Sequence, residues 1–497
     1  MAKQGILAKA KPGAATNTLL YKAPIDASAS TVLNVTAQGG SNTSFDVALK
    51  NYDQKLTLGA STYKLHTGDI VTNYRYTLNT PLPSSAGLTP GATITTSDGE
   101  GTFKFESFYI PAFTEVDVFT RTIIPVTVES TSGTFAVGET FSTGTAPNAT
   151  TAVIYAVAAG SGNTIVHIGP ITVNGSGATF AAGDSVASTG GASGTISSGG
   201  VGTANPEFTL KESGGTERMY LGVDLTILTD RTYRFDTSDG TMSGRDFKLS
   251  TTVDGEYGPD LDFSASGDNG TEYTTGKTTN GTAGSAGAYS QYDFTQDSNL
   301  SGNLYIYDGG TGTAANANYG GSDRYLTTSD SFTYSQLYIY DKEGTVTAGS
   351  STFLFGGVTY TLSSETVGPY GYVRDYTGTA CYVVKGVGSA DFTTSNTFLD
   401  VPKLASGTRT ECTISAIAIA ETAYETQELL RKDNAITANT TEEIKSLVIG
   451  PGERLIVENN DADCSFVLVG FEDASTGFTT RTYLTSAANQ GASGSGG

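Results

Sequence analysis

Apolar and polar residues alternate in short runs along most of this chain, and the three-to-four-residue spacing of an amphipathic helix hardly occurs. A period of two sends successive side chains to opposite faces of a strand, so the pattern predicts half-buried β-strands joined by turns. Thr31-Val32-Leu33-Asn34-Val35 and Ser44-Phe45-Asp46-Val47-Ala48-Leu49 read as two strands of one hairpin, with polar residues 38–42 as the turn. Residues 103–109 and 116–126 continue the alternation.

Similar strings recur. Gly133-Thr134-Phe135-Ala136-Val137-Gly138-Glu139 and Gly177-Ala178-Thr179-Phe180-Ala181-Ala182-Gly183-Asp184 match at a displacement of 45 residues, aligning Phe135 with Phe180, Gly138 with Gly183 and Glu139 with Asp184. A duplicated small β unit and a coincidence within a Gly/Ala/Thr-rich stretch both fit. Leu304-Tyr305-Ile306-Tyr307-Asp308 returns as Leu337-Tyr338-Ile339-Tyr340-Asp341. These read as twin strands of one sandwich, Leu and Ile on one face and Tyr on the other, with an exposed tyrosine ladder for carbohydrate or protein contact as the sharper alternative. The two ends also run in step. Leu20-Tyr21-Lys22-Ala23-Pro24, Thr31–Val35 and Phe45–Leu49 correspond to Phe398-Leu399-Asp400-Val401-Pro402, Thr410–Ile414 and Glu425–Leu429. Two copies of one sandwich module are therefore expected. By that alignment residues 421–431 form a strand, although their types favour helix. Thr440-Thr441-Glu442-Glu443 has the spacing of a capping box, so one short helix stays open.

The expected fold is all-β: several β-sandwich modules, Ig-like or cupredoxin-like, with a small Gly-rich β insertion. Its expected divisions are an N-terminal arm over 1–16, a sandwich over 17–126 and an inserted repeat domain over 127–205. A Tyr/Gly-rich domain over 206–345, a β linker over 346–396, a second sandwich over 397–482 and a disordered tail over 483–497 follow. The arm carries the apolar pair Ile6 and Leu7; with Leu19 and Leu20 these are the residues expected to act in assembly.

Composition sharpens this. Charged residues are only 16% of the chain, with 62 Gly and 27 Tyr, which suits short strands and many turns. The formal net charge of −22 argues against nucleic acid or an anionic membrane as partner. No window approaches the roughly 18 consecutive apolar residues of a membrane span, and no signal peptide is apparent. Cys381, Cys412 and Cys464 are odd in number and widely spaced, which predicts buried free thiols in a reducing compartment.

The inventory for chemistry is short. His66 and His167 are the only histidines, and neither lies beside a Gly-x-Ser-x-Gly elbow. No phosphate-binding glycine loop appears, and neither a cofactor nor a metal is expected. The densest acidic loop, 254–262, reads as a solvated turn, with a calcium ion as the minor alternative, since it lacks the EF-hand register.

Several segments carry a resemblance. Lys11-Pro12-Gly13-Ala14-Ala15-Thr16-Asn17-Thr18 with Leu19–Pro24 resembles the start of a β module of structural proteins of tailed phages, notably contractile-tailed cyanophages. Val448-Ile449-Gly450-Pro451-Gly452-Glu453-Arg454-Leu455-Ile456-Val457 with Cys464–Glu472 is similar to that module's closing hairpin. Tyr233–Asp239, Thr271–Gly276 and Gly281–Tyr289 resemble a cupredoxin-like module, which places a cupredoxin-like domain in 206–345. Its copper-ligand stretch would fall at Leu304–Gly310, which holds no Cys, His or Met. The unit at 135–139 is similar to small β insertions of phage tail proteins. The resemblance implies a non-enzymatic virion component, assembled in the host cytoplasm and associated with tail, baseplate or fibre. Its implied partners are other virion proteins and copies of itself, a trimer included. A capsid decoration protein is the alternative within that class, and a host-glycan-binding receptor module the alternative outside it.

Overall fold

The computed structural model describes residues 3–59, 65–84, 87–145, 147–222, 225–259, 261, 269–310, 319–399 and 411–475. The chain is all-β: antiparallel sheets dominate, and helix among the described residues is confined to single 3₁₀ turns. No helix there is long and apolar enough to cross a membrane. Two compact units form, one from Met1–Ile110 with Thr333–Gly497 and one from Pro111–Phe332.

In the first unit the two ends of the chain build one sandwich together, where two copies were expected. One sheet runs Gln4–Ala10, Cys464–Ala474, Ala27–Ala37, Thr441–Ile449; the other runs Thr18–Lys22, Arg454–Asn459, Thr43–Lys50, Leu429–Ile436. Each N-terminal strand borders a C-terminal one, so neither end holds a complete sheet. The strands read as a hairpin, Ala27–Ala37 and Thr43–Lys50, fall in different sheets, and residues 38–42 cross between them. Period two still governs the packing. Ala29, Leu33, Val35 and Ala37 point inward to meet Phe45, Val47, Phe466 and Leu468, each side chain stabilising by about 1.5–3 kcal/mol for the larger ones.

Two further corrections concern the ends. The expected arm is a strand of its own chain, with Ala8 paired to Leu468 and Ala10 to Phe466, because its alanines fill the sandwich edge. Residues 421–431 resolve into one 3₁₀ turn, Thr426–Glu428, closed by Glu425 and Glu428, and then strand. Thr441–Ile449 is strand as well.

Two six-stranded sheets complete the first unit. Tyr76, Phe103, Phe105, Leu337 and Ile339 of one meet Ile70, Tyr370 and Tyr372 of the other. All three cysteines are buried.

The second unit holds a barrel and a sandwich. The C-terminal half of the long strand Thr114–Ser132 pairs on one side with Ser193–Val201 and on the other with Thr164–Val173, closing a ring of six strands. The repeat is structural. Gly138 and Gly183 both take φ near +87° (86° and 88°), and their N–H groups bond Ile154 and Ile196 carbonyls at 2.8 Å each. Glu139 and Asp184 each accept from the backbone three residues earlier. Ser142 pairs with Ala187, its own equivalent 45 residues on, while Phe141 pairs with Ser188 and Thr143 with Val186. A local two-fold axis therefore passes through the Ser142–Ala187 pair. In the barrel core Phe141 meets both Phe135 and Phe180 in tilted ring contacts, at 5.6 and 5.3 Å.

The first half of the same long strand joins Asn205–Glu212, Thr232–Asp236, Tyr289–Asp293 and Lys277–Asn280, and packs against the sheet of Thr226–Leu228, Tyr325–Ser329, Asn303–Asp308 and Phe247–Ser250. The Tyr/Gly-rich block is thereby divided: Leu304–Asp308 lies in this second unit, and Leu337–Asp341 in the first. Tyr307, Tyr338 and Tyr340 are buried, so no exposed ladder runs through them; both faces of these strands are covered, which removes the polar/apolar distinction the pattern suggested.

Candidate assembly surface

Outward residues of the terminal sandwich follow from the same alternation that fills its core. In Cys464–Ala474 the inward set is Cys464, Phe466 and Leu468, and the outward set Val467, Val469 and Phe471. Both faces are thus apolar on one strand. Across the sheet, Ile6 pairs with Val469 and Val469 with Val32, forming one lateral row. In the next row Phe471 pairs with Ser30, and Ser30 with Val448. Ile6 is 67% exposed, Val448 59%, Phe471 54% and Val469 37%. A shallow groove of about 450 Å³ runs between Val32, Val448 and Val469. Its floor includes Gly470, where a Cβ would lie 2.2 Å from the Ser30 carbonyl.

Of the four residues expected to act in assembly, Ile6 lies on this face. Leu20 is in the core, Leu7 packs against the core, and Leu19 is half-buried beside a register shift. Val448, Val469 and Phe471 escaped sequence reasoning. The usable signal was Phe466-Val467-Leu468-Val469, where alternation gives way to a continuous apolar run although the strand is not central to a covered sheet.

A dense cluster of buried charge lies where strand ends of the terminal sandwich meet the sheet containing Gln54–Leu58. Asp53, fully buried, is ion-paired with Arg454, accepts from Lys22 Nζ at 3.2 and 3.3 Å, and accepts the Lys385 N–H at 2.6 Å. Lys385 Nζ pairs with Asp391 and, at 3.0 Å, with Glu421. Lys50 Nζ donates to the carbonyls of Asp53, Ala420, Glu421 and Ala423 at 2.7–3.1 Å. Burial, then the neighbouring Arg454 charge, pushes Lys22 and Lys50 down to about 8. Each amine is nonetheless engaged by oxygen. The cluster is built to hold strands rather than to present a free nucleophile.

The two histidines belong to different units. His66 Nδ1 lies 3.6 Å from Asp69 in a turn. His167, half-buried on the barrel strand Thr164–Val173, is lowered to about 4 by burial and by Arg324. Arg324 is itself bound to Glu207 at 3.2 and 3.3 Å. In the acidic loop, burial pushes Asp254 up to about 6, and Glu256 pairs with Lys248 at 3.1 Å; Asp260 and Asp262 lie outside the described residues. Among the described residues no three His, Cys, Asp or Glu side chains converge as a metal site would require.

Comparison with protein-family models, with curated proteins and with solved structures returns no match.

Proposed function

We propose that this chain is a non-enzymatic structural component of a tailed-phage virion, associated with tail, baseplate or fibre, and that its terminal sandwich docks on a neighbouring virion subunit. The observation that carries the reading is the outer sheet face of that sandwich. Ile6, Val32, Val448, Val469 and Phe471 come from four adjacent strands and form one apolar surface on a chain of net charge −22. Contiguous exposed apolar side chains of this kind mark contact surfaces. The resemblance of residues 11–24 and 448–472 to a phage β module falls on the strands of this same sandwich. The second unit is inserted in the chain of the first, leaving it after Ile110 and rejoining it at Thr333.

The test is localisation on purified particles. Immunogold labelling and particle proteomics are expected to find the chain at the tail, and Phe471→Asp is expected to remove it from particles. A chain absent from purified virions refutes the proposal, and label confined to the head replaces it with a capsid decoration role.

A further inference from the structure

A second recess in the first unit, independent of the apolar face, is lined by Tyr52, Tyr382, Asp375, Glu425, Glu428 and Glu453 and encloses about 350 Å³. Its back wall is aromatic. The Tyr52 and Tyr382 rings meet edge to face at 4.9 Å, with Lys50 over the first and Lys55 over the second at 4.8 and 5.1 Å. Its rim is carboxylate. Glu425 is paired with Lys55 at 2.7 Å. The other three are steadied by backbone N–H groups: Glu428 by Glu425 N at 2.7 Å, Glu453 by Gly450 N and Asp375 by Tyr376 N, each at 2.8 Å.

Tyr52 supplies the independent observation. It is 2% exposed, and its hydroxyl makes no hydrogen bond of normal geometry, although Glu428 is near enough to reinforce the upward push that burial gives its pKa. A buried hydroxyl without a partner is costly, about 1–3 kcal/mol, and Tyr52 is part of the recess wall. The carboxylates are acceptors only, and the phenol oxygen can accept as well as donate. Such a wall selects a ligand rich in N–H donors that carries positive charge and tolerates an aromatic floor. An ammonium group brings three donors and a guanidinium five. A bare divalent ion fits less well. It would need six or more oxygens at about 2.3–2.6 Å, and among the described residues no group of three such side chains converges.

We propose that this recess binds an organic cation, the ammonium or guanidinium group of either a free polyamine or a basic protein side chain. The negative rim draws the cation in, the carboxylates orient its N–H donors, and the Tyr52 hydroxyl gains the partner it lacks.

Isothermal titration calorimetry on the full chain tests this with three probes: spermidine, an acetylated Gly-Arg-Gly amide, and calcium chloride. Saturable one-site binding of spermidine or the peptide is expected. Glu428→Gln and Glu453→Gln are each expected to weaken it about tenfold, the cost of about 1.4 kcal/mol for one lost charge contact. Glutamine keeps an oxygen for the backbone N–H, and unchanged melting of both variants shows that the fold is intact. Glu100→Gln, exposed and outside the recess, is expected to leave affinity unchanged. Tighter binding of the peptide identifies a protein side chain as the source, and tighter binding of spermidine a free polyamine. No saturable heat with either organic cation, equal affinity in Glu428→Gln and wild type, or stronger binding of calcium than of both overturns the proposal.

Discussion

Replacing Asp53 by alanine tests whether the buried charge cluster holds the first unit together. Asp53 follows the strand Thr43–Lys50 of the terminal sandwich and precedes Gln54–Leu58 of the adjoining sheet. Its carboxylate meets Arg454, Lys22 and the Lys385 N–H, and both Asp53 and Arg454 are fully buried. Alanine leaves the Arg454 charge with only the more distant Glu421 carboxylate, 3.7 Å away, in a site where burial already disfavours it. Removing one member of a buried pair costs about 3–5 kcal/mol. For a unit of this size that lowers the melting temperature by roughly 10 °C. Asp53→Asn keeps an acceptor for the Lys385 N–H and should lose less. The decisive comparison is the double variant Asp53→Ala/Arg454→Met. If the loss comes from a stranded guanidinium, removing it must recover part of the stability. Calorimetric melting of the full chain measures this, with the first-unit transition expected to move and the second-unit transition to stay. Additive losses in the double variant would falsify the account, as would a shift below about 1 kcal/mol for Asp53→Ala, the scale of an exposed pair.

Three further expectations follow from separate parts of the molecule. His167 has a folded-state pKa of about 4 against 6.5 in the unfolded chain. The unfolded state binds the extra proton between these values, so stability is present above pH 6.5 and lost as pH falls towards 4. The loss is about 3 kcal/mol, and His167→Gln should remove that slope from urea midpoints taken at pH 7, 5 and 4. In the barrel repeat, Gly183→Ala meets nothing within 4 Å and should cost only the strain of a left-handed backbone, about 1–2 kcal/mol. Gly138→Ala adds a Cβ 2.7 Å from Thr216 Cγ2 and should cost more; equal thermal shifts would contradict this reading of the two sites. On the apolar face, Phe471→Asp should leave melting within about 0.5 kcal/mol of wild type, as exposed substitutions do, while removing the chain from particles.

Period two was legible because the terminal sandwich has covered inner and partly open outer faces. Ala27–Ala37 alternates buried and less buried positions throughout its length, as its sequence does. The 45-residue repeat was legible for another reason: Gly138 and Gly183 need a positive φ, and Phe135 and Phe180 fill one core, so the same chemistry recurs. Pairing partners were not legible. Local pattern says that Ala27–Ala37 is a strand, but nothing in it names Cys464–Ala474 as its neighbour. For the same reason the burial of Arg454 could not be read locally: Asp53, remote in sequence, makes it tolerable. Ile6 and Leu7 illustrate the limit at the assembly face. Adjacent residues of a strand face opposite ways, and a bulge at this point decides which of them reaches solvent.

The interleaving of the two ends has a consequence for folding that truncation can measure. Ala27–Ala37 is bordered only by Cys464–Ala474 and Thr441–Ile449, both of which come last in the chain. Thr43–Lys50 likewise lies between Arg454–Asn459 and Leu429–Ile436. A chain ending at residue 428 therefore keeps both N-terminal strands but none of their partners, and their backbone groups return to water. The second unit, Pro111–Phe332, contains every strand of its barrel and sandwich and has no such dependence. Hydrogen exchange on the truncated chain should show unprotected amides over 27–37 and 43–50 and native protection over 116–128 and 164–173. During synthesis the nested unit would then be complete before the sandwich that encloses it in sequence, an order opposite to that of the first strands made. Native-level protection of 27–37 in the truncated chain would show that the N-terminal strands find partners of their own, and the account of one shared terminal sandwich would fail with it.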